Sequence, residues 1–242
     1  MANMSKVRNA VIALLILVIT GGIVYAMWPL IHGAILTEGY KQAAQEFIEK
    51  TDTEETEDEQ QMGAAYYELY SAWQAFNERI YENKQAELGG EGSYEEQLFD
   101  LSGYGIEDEI VGVIRIPALN LKMPLYLGAT EEHMAAGAAQ MSYTSCPIGG
   151  ENTNCVIAGH CGWGGADYFR YLEKLEIGDK VYITNLWGTM VYTVTETKII
   201  YPNDVESIRI QEGKDMVTLM TCYPYASGGR YRLLVYCERE TK

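Results

Sequence analysis

One cysteine, one histidine and two arginines are the residues of this sequence whose types and order suit acyl-transfer chemistry. Cys222 ends an apolar run at residues 217–221, and Arg230 and Arg232 follow it across a Ser-Gly-Gly turn. A cysteine thiolate is a strong nucleophile, but it needs a proton-transfer partner and donors for the oxyanion that forms when it attacks a carbonyl. The spacing predicts a hairpin that places an arginine beside Cys222 as its cross-strand neighbour.

His160 is the histidine best placed to be that partner. The chain has three histidines, and His32 and His133 lie beside an apolar segment and in a polar stretch, respectively. His160 stands in Ala-Gly-His-Cys-Gly, where a predicted strand meets a glycine-rich loop, and active sites are commonly built at such strand ends. Each residue alone also fits an ordinary role, because cysteines are often small core residues and arginines are often solvated charges.

The elements that must position these residues are short strands. The chain has seven β-branched or aromatic runs with turn signals between them, several of which are glycine-rich, at residues 110–116, 121–126, 155–158, 180–184, 190–200, 217–222 and 231–237. Such runs are typical of strands. With only one predicted helical insert, at residues 168–175, they indicate a closed β-barrel or a sandwich rather than an α/β sheet.

The N-terminal region predicts a membrane anchor. Residues 10–31 contain no charge, and a helix needs ~20 apolar residues to cross a bilayer. Lys6 and Arg8 precede this segment, so the positive-inside rule places residues 1–9 in the cytoplasm and the rest of the chain outside a single-pass membrane helix. A cleaved secretory signal is the alternative, because Val24-Tyr25-Ala26 resembles a cleavage site.

Residues 32–104 are predicted to be a helical and acidic extension. An amphipathic helix is expected at residues 39–50 and a second helix at residues 63–85, and the acidic run at residues 51–61 is expected to be a solvated linker or an exposed helix end. The second helix carries aromatic and aliphatic residues at spacings of three and four, which predicts packing against the rest of the protein rather than cofactor binding.

Charge and cysteine content exclude several classes of function. The chain has 34 acidic and 18 basic residues, a formal charge of −16, which argues against nucleic acid as a partner. Five cysteines without a CxxC pair or a Cys/His spacing do not predict a metal site. An odd number leaves at least one thiol free, and Cys146 and Cys155 flank a loop that a disulfide between them would close.

These motifs together resemble those of the sortase family. Residues 218–225 (TLMTCYPY) followed by 232–235 (RLLV) are similar to the family's TLxTC and arginine-hydrophobic signature, and residues 114–117 (IRIP) and 158–160 (AGH) are similar to upstream motifs in the same order. The resemblance implies a closed, eight-stranded barrel with short helices at residues 105–242, without a cofactor. It also implies Cys222 as nucleophile, His160 as proton-transfer partner, and Arg232, in preference to Arg230, as oxyanion donor.

The reaction implied is cleavage of an LPxTG-like sorting signal through a thioacyl enzyme, followed by transfer to an amine. That amine belongs to a pilin lysine or to a cell-wall precursor. The Cys-x-Pro-Tyr continuation resembles the pilin-polymerising class C. However, residues 87–97 lack the proline of the class C lid motif, and no second hydrophobic segment follows the barrel, so a wall-anchoring enzyme similar to class D or B stays open.

Two other readings of the sequence compete with a sortase. In an L,D-transpeptidase the histidine lies shortly before the cysteine, whereas here the two are far apart in the chain. A catalytically inactive binding module on a sortase-like barrel would not need the histidine, cysteine and arginine set. Cys161 is interpreted as a bystander thiol, because neighbouring residues on a continuing strand point to opposite faces.

Overall fold

Eight strands close into one barrel in the computed structural model, which describes residues 2–51, 57–90 and 92–240. The order around the barrel is β1-β2-β3-β4-β9-β10-β8-β7. Most neighbouring pairs are antiparallel, whereas β2 with β3 and β4 with β9 are parallel. The strands are β1 (Ile110–Ile116), β2 (Leu121–Leu127), β3 (Ala138–Gln140), β4 (Thr153–Ala158), β7 (Lys180–Asn185), β8 (Gly188–Ile200), β9 (Asp215–Tyr223) and β10 (Tyr231–Arg239).

The closed, mainly β barrel predicted from the sequence is confirmed. Seven of its strands coincide with the seven predicted runs, and the short β3 is the one that the pattern did not reveal. Alternating side chains fill the interior, where Ile114, Leu125, Ile157, Ile183 and Leu219 are fully buried. Burying each such side chain contributes about 1.5–3 kcal/mol.

The predicted helical insert at residues 168–175 is largely wrong. Tyr168 ends a small hairpin of β5 (Cys161–Trp163) and β6 (Ala166–Tyr168), and the helical part is a single 3₁₀ turn at Leu172–Lys174. Gly162, Gly164 and Gly165 have positive φ angles, which lets the backbone reverse within four residues. The pairing of Tyr168 with Cys161 therefore replaces a helical turn.

A single long helix, α1 (Ala2–Thr51), carries both the apolar segment and the first part of the extension. Its most apolar window has a mean hydropathy of 2.6, is entirely exposed, and is long and apolar enough to cross a membrane. From Gly33 onward one face becomes buried against the barrel, through Tyr40, Ala44 and Phe47 at helical spacing. The predicted amphipathic helix is thus continuous with the apolar one.

The second helix, α2 (Glu57–Glu82), packs on the barrel along the predicted stripe, where Leu69, Trp73 and Ile80 are completely buried. It ends three residues before the predicted boundary because Lys84 and Gln85 take positive φ angles of 54° and 51°. Of the acidic run at residues 51–61, residues 52–56 lie outside the described residues, and residues 57–61 are the first residues of α2 rather than a linker. A third helix, α3 (Glu131–Ala136), precedes β3.

Candidate active site

Cys222 and Arg232 face each other across two neighbouring strands. They form a direct pair in the antiparallel register of β9 and β10, so both side chains lie on the same face of the sheet. A β-carbon at Gly229 would lie 3.2 Å from Arg232 Nη1 and 3.6 Å from Cys222 Sγ, so both groups border the same small space. Arg232 Nη1 donates hydrogen bonds to the carbonyl oxygens of Gly229 (2.7 Å) and Tyr231 (3.1 Å). These two bonds hold the guanidinium beside the thiol.

Arg230 is placed differently from Arg232. It lies in the exposed loop before β10 and has no pairing partner in the register of β9 and β10. Of the two arginines that the sequence offered, Arg232 is therefore the one beside Cys222.

His160 directly follows the strand on the other side of β9, with Gly159 between it and the end of β4. The parallel register of β4 and β9 ends at Ala158 opposite Met220, and Gly159 N donates to Met220 O over 3.1 Å. His160 follows Ala158 by two residues and lies just beyond the end of β4, as Cys222 follows Met220 by two residues near the end of β9. Thr221 Oγ1 donates to Gly159 O over 2.8 Å and fastens this strand end. The three predicted residues thus lie at the same end of β4, β9 and β10.

The imidazole of His160 is held by two aromatic rings of the β5–β6 hairpin. The Trp163 ring stacks on it at 5.6 Å and 16°, and the Tyr168 ring meets it edge-on at 5.8 Å and 83°. Burial lowers the pKa of His160, which favours the neutral imidazole. Sequence reasoning missed both aromatic residues. A tryptophan three residues after the histidine, between glycines, was the available signal.

Cys161 lies closer to the site than the sequence suggested. The expectation that it points away assumed that the strand continues, but β4 ends at Ala158 and Cys161 begins β5, which contacts β9. Burial and the nearby charge of Cys222 raise the pKa of the Cys161 thiol. Cys161 is therefore an electrostatic neighbour of Cys222.

The other three cysteines are buried within the fold. The disulfide left open between Cys146 and Cys155 is not formed, and both thiols are free, as is that of Cys237. Burial raises the pKa of all three thiols, which disfavours the reactive thiolate. None of them is suited to nucleophilic chemistry.

The remaining histidines have structural partners, and residues 2–51, 57–90 and 92–240 contain no cluster suited to a metal ion. His133 is buried on α3, with its ring nitrogens 2.8 Å from Gly128 O and 2.9 Å from Glu109 Oε2. His32 Nδ1 is 2.7 Å from Gly164 O.

Residues 87–90 and 92–97, where a class C sortase has its lid motif, include residues that pack against the outside of the barrel. Leu88 is buried among outer-face residues of the barrel, and Tyr94 O accepts hydrogen bonds from the amides of Ala129 and Ser142. Among the described residues of this segment, 87–90 and 92–97, no hydrogen bond reaches His160, Cys222 or Arg232.

Comparison with known proteins agrees with this geometry. Residues 114–240 match the family model of the sortase domain and include all three site residues. Because the match covers more than half of the 242 residues, the chain belongs to the sortase family.

Relatives of several sortase classes are similar to the chain. It is 29% identical over 132 residues to Sortase D of Bacillus subtilis, covering 54% of this chain and 64% of that protein. It is 33% identical over 136 residues to Sortase A of Streptococcus agalactiae, covering 54% and 53%, respectively. The chain thus spans about half to two thirds of the length of these relatives.

Solved structures of class C sortases are similar over most of the chain. Sortase C-1 of Streptococcus pneumoniae has a TM-score of 0.69 at 31% identity, with 83% of this chain and 99% of that chain covered. Sortase C of Clostridium perfringens, solved with a C-terminal cell wall sorting motif, has a TM-score of 0.64 at 30% identity and the same coverage.

Proposed function

We propose that this protein is a membrane-anchored cysteine transpeptidase that cleaves an LPxTG-like sorting signal and transfers the acyl part to an amine. The observation that carries the proposal is the pairing of Arg232 with Cys222, with His160 just beyond the end of the neighbouring strand β4. A nucleophile, a proton carrier and an oxyanion donor are the groups that acyl transfer requires.

In the first half-reaction, His160 takes the proton of the Cys222 thiol, and the resulting thiolate attacks the carbonyl carbon of the scissile peptide bond. The carbon–sulfur bond forms, and the guanidinium of Arg232 donates hydrogen bonds to the oxyanion, a charge-assisted interaction. His160 then gives its proton to the departing nitrogen as the carbon–nitrogen bond breaks. The thioacyl enzyme and a free amine result.

In the second half-reaction, an incoming amine attacks the thioester. His160 takes the proton that the amine loses, the new amide bond forms and Cys222 leaves as the thiolate. The acceptor amine belongs to a pilin lysine, as the resemblance to class C sortases implies, or to a cell-wall precursor.

The proposed topology follows from α1. Its exposed apolar segment would span the membrane, with Lys6 and Arg8 on the cytoplasmic side and the barrel outside. Sorting signals of surface or pilin proteins would bind the site at the outer surface of this membrane.

The test uses the full chain in detergent micelles with fluorogenic peptides varied around LPxTG. We expect Cys222→Ala to abolish cleavage, because no nucleophile remains. His160→Ala should slow cleavage by about 10²–10⁴-fold, the usual contribution of a general acid. Arg232→Ala should slow it by about 10²–10³-fold, as loss of an oxyanion donor does. Arg230→Ala is the matched control and should stay within about twofold of the wild type, since an exposed loop arginine donates to no reacting atom.

The outcomes separate the rival functions. Cleavage that survives Cys222→Ala contradicts the transpeptidase proposal. If no peptide is cleaved and Cys222 resists alkylation in the folded chain, the inactive binding module is the better interpretation. Mass spectrometry of the product formed with a lysine-bearing peptide or with a cell-wall precursor peptide identifies the acceptor amine.

A further inference from the structure

The helix α1 and the β5–β6 hairpin meet backbone to backbone. A β-carbon at Gly33 would lie 2.2 Å from the carbonyl oxygen of Gly165, and one at Gly165 would lie 2.0 Å from the carbonyl oxygen of Pro29. Neither distance leaves room for any side chain. The contact therefore requires glycine on both sides, just where α1 leaves its exposed apolar segment.

Two further contacts fasten the hairpin to the helix on either side of this point. His32 Nδ1 lies 2.7 Å from Gly164 O, and the Tyr40 ring packs against the Tyr168 ring at 5.6 Å. Gly33 and Tyr40 are both buried, so this face of the helix is covered by the barrel domain. The hairpin is thus held along two turns of α1.

The same hairpin holds His160. Trp163, which stacks on the imidazole, is the residue before Gly164, and Tyr168 touches both Tyr40 and His160. Immediately after the hairpin, Phe169 N donates to the backbone oxygen of His160 over 2.9 Å. A continuous set of contacts therefore runs from the membrane-proximal turns of α1 to the imidazole.

We propose that the membrane-proximal part of α1 is a positioning element for His160, with Gly33 and Trp163 as positioning residues that act through the hairpin. The inference rests on the proposed function of His160 in proton transfer. A displacement of about 1 Å at a reacting group can cost about 10²-fold in rate. A β-carbon at Gly33 would lie 2.2 Å from Gly165 O, and ordinary contacts begin at 3.4 Å, so relieving the overlap requires a movement of 3.4 − 2.2 = 1.2 Å.

The experiment compares Gly33→Ala with Gly39→Ala in the full chain in detergent micelles. The two substitutions are chemically identical and lie on the same helix, but a β-carbon at Gly39 has nothing within 4 Å. We expect Gly33→Ala to lower the kcat of sorting-signal cleavage by about 10- to 100-fold with KM changed less than about twofold, because substrate contacts are untouched. Gly39→Ala should leave both constants within about twofold.

A second readout does not depend on activity. The ring protons of His160 lie against Trp163, so their NMR resonances carry a ring-current shift from the indole. With three histidines in the chain, the His160 signal is assigned by its loss in His160→Gln. At pH ~8.5, where the imidazole is neutral, we expect Gly33→Ala and Trp163→Leu to move this signal and Gly39→Ala to leave it in place. Trp163→Phe keeps an aromatic ring and should restore most of the kcat lost in Trp163→Leu.

The results distinguish this inference from the proposed function. If Cys222→Ala abolishes cleavage and Gly33→Ala matches Gly39→Ala in both kcat and the His160 signal, the positioning role is overturned while the transpeptidase stands. Should Cys222→Ala cleave like the wild type, the proposed function fails, and the His160 signal alone decides whether the helix orients the ring. If Gly33→Ala does not fold, the Trp163 pair decides: equal kcat values for the leucine and phenylalanine variants contradict the inference.

Discussion

Gly159, between β4 and His160, lies against an aromatic ring that leaves no space for a side chain. A β-carbon there would be 2.6 Å, 2.7 Å and 3.0 Å from Cδ2, Cγ and Cε2 of Phe169. The Phe169 ring is completely buried, so it cannot move into solvent to relieve the overlap. Gly159→Ala must therefore displace either the ring or the strand end that carries His160.

The magnitude follows from the cost of overpacking a core, typically about 1–3 kcal/mol. For a chain of this length, each kcal/mol lowers the melting temperature by about 2–4 °C, so a cost of about 2 kcal/mol corresponds to ~4–8 °C. Because His160 is the next residue, we also expect the kcat of sorting-signal cleavage to fall at least tenfold.

Two assays are used. Thermal unfolding of the full chain in detergent micelles is monitored by near-ultraviolet circular dichroism, and the rate of peptide cleavage is measured separately. The matched variant is Gly159→Ala combined with Phe169→Leu, which removes the ring that the new methyl group meets. Phe169→Leu alone should also destabilise, because it leaves a cavity. The double variant should lose less than the sum of the single losses, by about 0.5–3 kcal/mol, as expected for residues in contact.

Two results would refute this reasoning. One is a Gly159→Ala protein that melts within about 1 °C of the wild type, since the overlap would then cost nothing. The other is strict additivity of the two substitutions, because it would place the cause of any destabilisation outside the contact with Phe169.

Three further predictions concern the thiols and the β4–β9 pairing. Iodoacetamide should modify at most two thiols of the folded chain, because burial raises the pKa of Cys146, Cys155 and Cys237. Intact-mass measurement should show modification of all five thiols only after the chain is unfolded. Cys161→Ser should keep the cleavage rate within about threefold, since this residue is assigned no step of the reaction. Asn154→Leu should cost about 1–3 kcal/mol in thermal unfolding, because the buried amide accepts a hydrogen bond from Thr218 Oγ1 (2.8 Å) and donates one to Ile208 O (3.0 Å).

Controls for these three predictions use the same measurements. Modification of three or more thiols in the folded chain would contradict the assigned burial, and a cleavage rate in Cys161→Ser that falls with that of Cys222→Ala would give Cys161 a part in the reaction. Asn203→Leu, at an exposed asparagine, should leave the melting temperature unchanged, and a drop equal to that of Asn154→Leu would show that the buried hydrogen bonds are not the cause.

Much of the barrel was predictable because its strands are long enough to show a pattern. Seven runs of alternating or β-branched residues coincide with barrel strands, and the barrel end that carries Cys222 follows from one of them. The three-residue β3 is too short for a period of two to appear. The β5–β6 hairpin was missed for the same reason, since three-residue strands around glycines look like a loop.

The order of motifs in the sequence was enough to select His160, Cys222 and Arg232 as candidates. A short hairpin keeps Cys222 and Arg232 close in the chain, whereas His160 was selected by the motif around it. The order of motifs was not enough to place Cys161. The orientation of Cys161 depends on where β4 ends, and β4 ends where the β5–β6 hairpin begins.

The sequence by itself determined the class of fold, the candidate residues and the apolar helix, because each depends on residues that are close together in the chain or on a motif. Only the tertiary structure brought Gly33 against Gly165, as well as Trp163 and Tyr168 against His160. His32 and Gly164, which meet at the same place, are 132 residues apart. Contacts over such separations leave no periodic trace, since each side needs only a glycine or an aromatic ring, and the packing of a whole helix against a whole barrel decides where they meet.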